Sequence, residues 1–175
     1  MGRRRTWLLP ILGRVPVKIR ALELDDVDEV AALSLRVWAP VHASMAAVLG
    51  PELNARINPD WAASQESDVR AACGDEQMLV SVAQQDGRVV GFVAVLPRTR
   101  EPGTGEIDMV AVDPAVQGSG AGRALTDHAL AQLRAAGCTL AVVATGGDDG
   151  HAPARSLYAA AGFTPLPLAR YYQVL

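Results

Sequence analysis

The stretch from Glu106 to Gly122, EIDMVAVDPAVQGSGAG, constrains this chain more than any other. It alternates as a strand, breaks at Asp113-Pro114 and passes through Gly118, Gly120 and Gly122 into a helix-forming segment. A strand that turns tightly into a helix leaves the first N–H groups of that helix without carbonyl partners, at the positive end of the helix dipole. Such a turn is an anion cradle, and its glycines let a polyphosphate reach the backbone with no side chain between.

Spacing selects among phosphate cradles. The Walker pattern needs Lys and then Ser or Thr after its last glycine, whereas Gly122 is followed by Arg123 and Ala124. The dinucleotide pattern G-x-G-x-x-G also fails, because the glycines stand as G-x-G-x-G and lie past the middle of the chain. A second segment, Ala154 to Phe163 (ARSLYAAAGF), reads as a short helix with Leu157, Ala161 and Phe163 close to one face. Gly162 suits its C′ position, before a strand restarting at Phe163-Thr164. Between the two segments, Cys138 to Thr145 (CTLAVVAT) is an apolar run of strand length.

Gln117-x-x-Gly120-x-Gly122, followed by Leu157-Tyr158-x-x-x-Gly162-Phe163, resembles the acyl-coenzyme A signature of the GNAT N-acetyltransferase superfamily. The resemblance implies an α/β (α+β) fold, with a mixed, mostly antiparallel twisted central sheet flanked by helices and an acyl-CoA cleft between the central strands. It implies an enzyme that transfers the acetyl group of acetyl-CoA, its cosubstrate, to a primary amine by direct attack in a ternary complex. Gln117, Gly118, Ser119, Gly120, Ala121 and Gly122 would then give backbone amides to the pyrophosphate. By the same resemblance Arg123 adds charge at the helix start, and Val110, Ala111 and Val112 offer strand backbone to the pantetheine arm. Two other classes stay open: a non-catalytic acyl-CoA-binding regulatory or interaction module, and an unrelated α/β nucleotide-binding or interaction domain.

The resemblance places Tyr158 at the thioester sulfur as general acid, since a phenol with an ordinary pKa near 10 is protonated at neutral pH. The other reading of Tyr158 is a core aromatic. Glu106 is the candidate base toward the acceptor amine, and its other reading is a solvated acid at a strand end. Alternation puts Asp108 on the same face as Glu106. Where relatives often carry Asn seven residues before the Tyr, this chain has His151, which either bonds the coenzyme arm or caps the helix. Asp148, Asp149 and His151 are not expected to hold a metal, because the carboxylates are adjacent in a Gly-rich loop with no second His nearby.

A length of 175 residues suits one domain, from residue 17 to 175, after an N-terminal extension at 1–16. That extension has a basic start, but its apolar part, Trp7 to Leu12, is too short for a secretory signal or a bilayer span. The net charge of −3 and the absence of a basic stripe argue against nucleic acid as partner. Cys73 and Cys138 have no metal or redox spacing, so a reducing cytoplasm and free thiols are expected. Val17 to Leu22 reads as the first strand, followed by a helix capped at Asp25 and stopped by Pro40. Asn58-Pro59-Asp60 marks a break before another helix, and Asp86-Gly87 joins a hairpin of Gln77 to Gln85 with Arg88 to Leu96. Acceptor specificity is expected from Val37 to Trp61 and from Ala169 to Tyr172, with Trp38, Trp61, Tyr171 and Tyr172 either lining a pocket or packing. The tail could instead build a homodimer contact.

Overall fold

Asp86 and Gly87 take positive φ, 50° and 78°, giving the computed structural model the two-residue hairpin turn that the sequence predicts. The structure describes residues 17–175, so the extension at 1–16 and its reading lie outside the described residues. Around the hairpin, five strands form one sheet in the order β1 (Lys18–Ala21), β2 (Leu79–Gln85), β3 (Arg88–Leu96), β4 (Thr104–Val112) and β5 (Leu140–Val143). The first four pair antiparallel, while β5 lies parallel to β4. This is the mixed, mostly antiparallel sheet flanked by helices that the motifs imply.

Helices cover both faces. On one side, α1 (Val27–Ile57) and α2 (Trp61–Gly74) bury Val30, Leu33 and Val69 against Val82, Phe92 and Ala111 of the sheet. On the other, α3 (Ala121–Ala135) buries Leu125, Ala129 and Leu133 against Val93, Val95 and Ile107. Its apolar residues recur at i, i+4 and i+8, which makes one stripe of a helix. Asp60 caps α2 by accepting the Ala63 N–H at 3.1 Å. The short α4 (Ala152–Ala160) ends before Gly162, whose φ of 92° turns the chain out of the helix.

Four expectations are corrected. A 3₁₀ turn at Leu24–Asp26 precedes α1, and the cap is Glu23 with Asp26 in place of Asp25: the Glu23 N–H donates to Asp26 at 2.8 Å. Arg20 grips the same carboxylate with two bonds of 2.6 and 2.8 Å. Pro40 does not stop the helix, since it removes only one ladder bond and Val41, Met45 and Val48 continue the helical spacing. The break comes at Gly50, with φ 75° and ψ 166°. β5 is shorter than Cys138 to Thr145 because Cys138 belongs to the end of α3, donating its N–H to the Leu133 carbonyl at 3.0 Å. The strand expected from Phe163-Thr164 does not form, and residues 161–175 carry neither helix nor strand. Pro165 and Pro167 lack the N–H donors that such a strand needs. By length and composition Leu24–Ile57 could also cross a membrane, yet Val30, Ala31 and Leu33 of this segment pack into the sheet.

Candidate active site

β4 and β5 pair only from Thr104 to Ile107 on β4, and past that point the two strands separate. The backbone of Asp108 to Val112 therefore has no strand partner on its β5 side, which is the open edge an amide-bearing arm needs. β4 also carries a bulge. Ala94 faces Met109 and Val95 faces Ile107, so Asp108 is an extra residue in the ladder. The bulge changes the phase of the strand: Ile107 and then Val110 and Val112 join the α3-side core, while Met109 and Ala111 join the α1-side core.

The cradle follows at once. Asp113 accepts the Ala115 N–H at 2.9 Å and a bond from Arg36 at 3.0 Å. The Ala115 amide, assisted by Arg36, holds its carboxyl below the usual aspartate value against the opposing effect of burial. Gln117 donates to the Val112 carbonyl at 3.2 Å, closing the loop on the strand it left. Gly118 and Gly120 take φ of 74° and 96°, a region that a side chain opposes. Ser119 Oγ accepts the Ala121 N–H at 3.3 Å, and the helix ladder begins with Ala124 N–H to the Gly120 carbonyl at 3.0 Å. The first-turn amides of α3 are thus aimed out of the helix end.

Two cradle residues have further neighbours. Gly122 is helical and faces α4, where a Cβ would make ordinary contact with Leu157 at 3.4 Å and Val112 at 3.6 Å. Arg123 Nε bonds both Asp127 oxygens at 2.8 Å while Nη1 donates to the Ala160 carbonyl at 2.8 Å. Its charge ties α3 to the last turn of α4. Gly120→Val is expected to weaken coenzyme A binding about tenfold, since a β-branched residue resists the left-handed conformation by roughly 1–2 kcal/mol. Titration of coenzyme A followed by calorimetry measures it.

Tyr158 is half-buried on α4 with its ring edge-on to Phe163 at 5.9 Å. Burial raises its pKa above the ordinary phenol value. Glu106 stands on β4 opposite Leu96 and lines a cleft of about 560 Å³ together with Gln77, Arg98, Arg100 and Val142. Asp108 is close enough to Asp68 of α2 for the two charges to interact, and burial first, then Asp68, raises its carboxyl. Asp108 therefore lies toward α2, while Glu106, before the bulge, opens on the cleft.

His151 sits in a 3₁₀ turn at Asp149–His151 and bonds Asp148 through Nδ1 at 2.5 Å. Burial opposes ionisation of Asp148, but bonds with Ser44 and His151 outweigh it and leave the carboxyl below its usual value. Ser44 also accepts the Gly150 N–H at 2.9 Å, so the far half of α1 anchors this turn. Arg155 donates to the carbonyls of Gly146 and Asp148, both at 2.7 Å. His42 stacks on Trp61 at 4.5 Å with its Nδ1 buried and unpartnered, and burial, then the nearby His151, lowers its pKa. Trp38 packs toward Phe92 on the core, and Tyr171 is 90% exposed. No group of His, Cys, Asp and Glu suited to a metal occurs among the described residues. The sequence reading missed Gln77, Arg98 and Arg100. The signal for Arg98 and Arg100 was a Pro- and Gly-rich loop leading into the Glu106 strand, while Gln77 read as the start of a hairpin strand.

Comparison with known proteins agrees with this geometry. The sequence profile of the acetyltransferase (GNAT) family matches residues 49–163. A mycothiol acetyltransferase from Beutenbergia cavernae is 35% identical over 128 residues, covering 70% of this chain and 42% of that protein. One from Amycolatopsis mediterranei is 35% identical, covering 75% of this chain and 46% of that protein. The chain therefore spans less than half the length of these curated relatives. Among solved structures, a GNAT-family protein from Desulfovibrio desulfuricans superposes with a TM-score of 0.62 at 27% identity, covering 87% of each chain. With the family profile spanning most of the sequence and the cradle, splayed strands and Tyr158 helix all in place, the chain belongs to the acetyltransferase (GNAT) family.

Proposed function

We propose that this protein is an acetyl-CoA-dependent N-acetyltransferase acting on a small-molecule primary amine by direct attack in a ternary complex. The observation that carries the reading is the parting of β4 from β5 beside the Gly118–Gly122 turn, with the Tyr158 helix packed on α3. The first-turn amides of α3 and the open backbone of Val110 to Val112 suit a pyrophosphate joined to an amide-bearing arm. Acetyl-CoA, when bound there, supplies the acetyl thioester.

Glu106, facing the cleft, accepts the proton of the acceptor ammonium directly or through water. Tyr158, kept protonated by burial, donates a proton at the leaving sulfur. His151, fixed in orientation by Asp148, bonds the coenzyme arm where relatives often carry Asn. The mycothiol acetyltransferase relatives support a mycothiol-related amine as the first acceptor to test. Unpaired Cys73 and Cys138 support a cytoplasmic location, and the exposed Leu166, Leu168 and Tyr171 support a homodimer contact through the tail.

The test is an acceptor panel of mycothiol-related, aminoglycoside, polyamine, amino-acid and peptide amines, with acetylated product identified by mass. Product from at least one amine, and a rise in Tm with acetyl-CoA, are expected. A rise in Tm with no product from any class leaves the non-catalytic acyl-CoA-binding module as the better reading, and no rise in Tm removes both.

A further inference from the structure

The cleft that holds Glu106 contains more charge than a proton transfer requires. Arg98 and Arg100 line it from the loop between β3 and β4, and neither has a carboxylate within salt-bridge distance among the described residues. Five of the eleven arginines among the described residues are paired with a carboxylate: Arg20 with Asp26, Arg36 with Asp113, Arg56 with Glu52, Arg70 with Asp28 and Arg123 with Asp127. The loop itself is well held. Thr99, between the two arginines, donates its N–H to the Thr104 carbonyl at 3.2 Å and its hydroxyl to the same carbonyl at 3.1 Å. Leu96 and Val142 supply apolar wall, and Glu101 adds a second carboxylate on the loop.

A cleft with Glu106 on its strand floor, and with two unpaired guanidinium groups beside Glu101 on its loop, matches a ligand that carries both signs. Guanidinium groups bind oxyanions through paired, charge-assisted N–H bonds, and a polycation would meet them as like charges. We propose that the acceptor carries a carboxylate or phosphate beside its amine, with Arg98 and Arg100 holding the oxyanion while the amine faces Glu106. The proposal rests on the N-acetyltransferase reading and narrows its acceptor class to amine oxyacids.

The experiment compares matched acceptors on the full chain at saturating acetyl-CoA: an amino acid against its amide, and an amine phosphate against the corresponding amino alcohol. The wild type is expected to favour the anionic member of at least one pair about tenfold in kcat/KM, and the responding pair identifies carboxylate or phosphate. In Arg98→Gln/Arg100→Gln that ratio is expected to fall close to one through KM, with Tm unchanged. Binding of the same compounds in the presence of coenzyme A, read as a shift in Tm, runs alongside. Binding of the anionic members that the double variant loses, without any turnover, supports the oxyanion site and refutes the reaction. Turnover that ignores the anionic group, or a ratio the double variant leaves intact, overturns the proposal while the reaction stands. If no anionic amine binds or reacts, the proposal is overturned as well.

Discussion

Tyr158→Phe is expected to lower kcat by about 10²- to 10³-fold, the range typical of losing a positioned general acid. The substitution removes one hydroxyl and keeps the ring, so the edge-on contact with Phe163 at 5.9 Å survives. Burial favours the neutral phenol, which keeps the proton on Tyr158 through neutral and mildly alkaline pH. The cradle is untouched, and the rise in Tm on adding coenzyme A should match that of the wild type. Steady-state rates with the best amine of the panel, beside the thermal shift, separate chemistry from binding. An unchanged kcat would return Tyr158 to the role of core aromatic. Glu106→Gln on the same panel tests the base at the cleft independently.

Arg20→Met is expected to cost about 3 kcal/mol of stability at pH 7, within the range for removing one partner of a buried ion pair. Asp26 is 8% exposed, and its carboxylate receives both Arg20 bonds as well as the Glu23 N–H. The variant leaves that carboxylate with the Glu23 N–H as its donor, and it unties β1 from the start of α1. The sign with pH follows from Asp26, whose pKa the Arg20 bonds hold below the reference 3.8 although burial pushes the other way. A carboxyl depressed in the folded state contributes stability above its unfolded pKa and loses that contribution as pH falls through the folded value. The gap in Tm between wild type and variant should therefore be full at pH 7 and shrink below about pH 3.8. Thermal melts at pH 7, 5 and 3 measure it, and a gap that widens on acidification would contradict the assignment.

The parts of this fold that were legible in the sequence are those where a residue type has one local solution. Asp86-Gly87 makes the hairpin, Asp60 caps α2, and the Gly118–Gly122 turn opens α3, because each is decided by backbone conformation within a few residues. Pro40 misled, since a proline's lost bond is a fixed cost that the rest of the helix from Val27 to Leu49 outweighs. The end of the helix came at Gly50 instead. Arg123 reads in sequence as a free charge at a helix start. Its tie to Ala160 spans 37 residues, a distance over which local pattern says nothing. Arg98 and Arg100 were equally opaque. Their common cleft with Glu106 exists only once β3 and β4 pair in register, which brings Leu96 opposite Glu106.

The extra residue Asp108 divides one strand between two employers. Because side chains alternate with a period of two, Glu106 and Val110 would share a face if every residue between them paired one to one with β3. As built, the half that carries Glu106 looks into the cleft, while Val110 and Val112 press on α3. Removing Asp108 would leave Met109 and Ala111 on the face of Glu106 and Ile107, Val110 and Val112 on the other, so the shortened strand would alternate without a bulge and keep both halves as they are. Loss of this residue is a change of length that β4 can absorb without turning either half over.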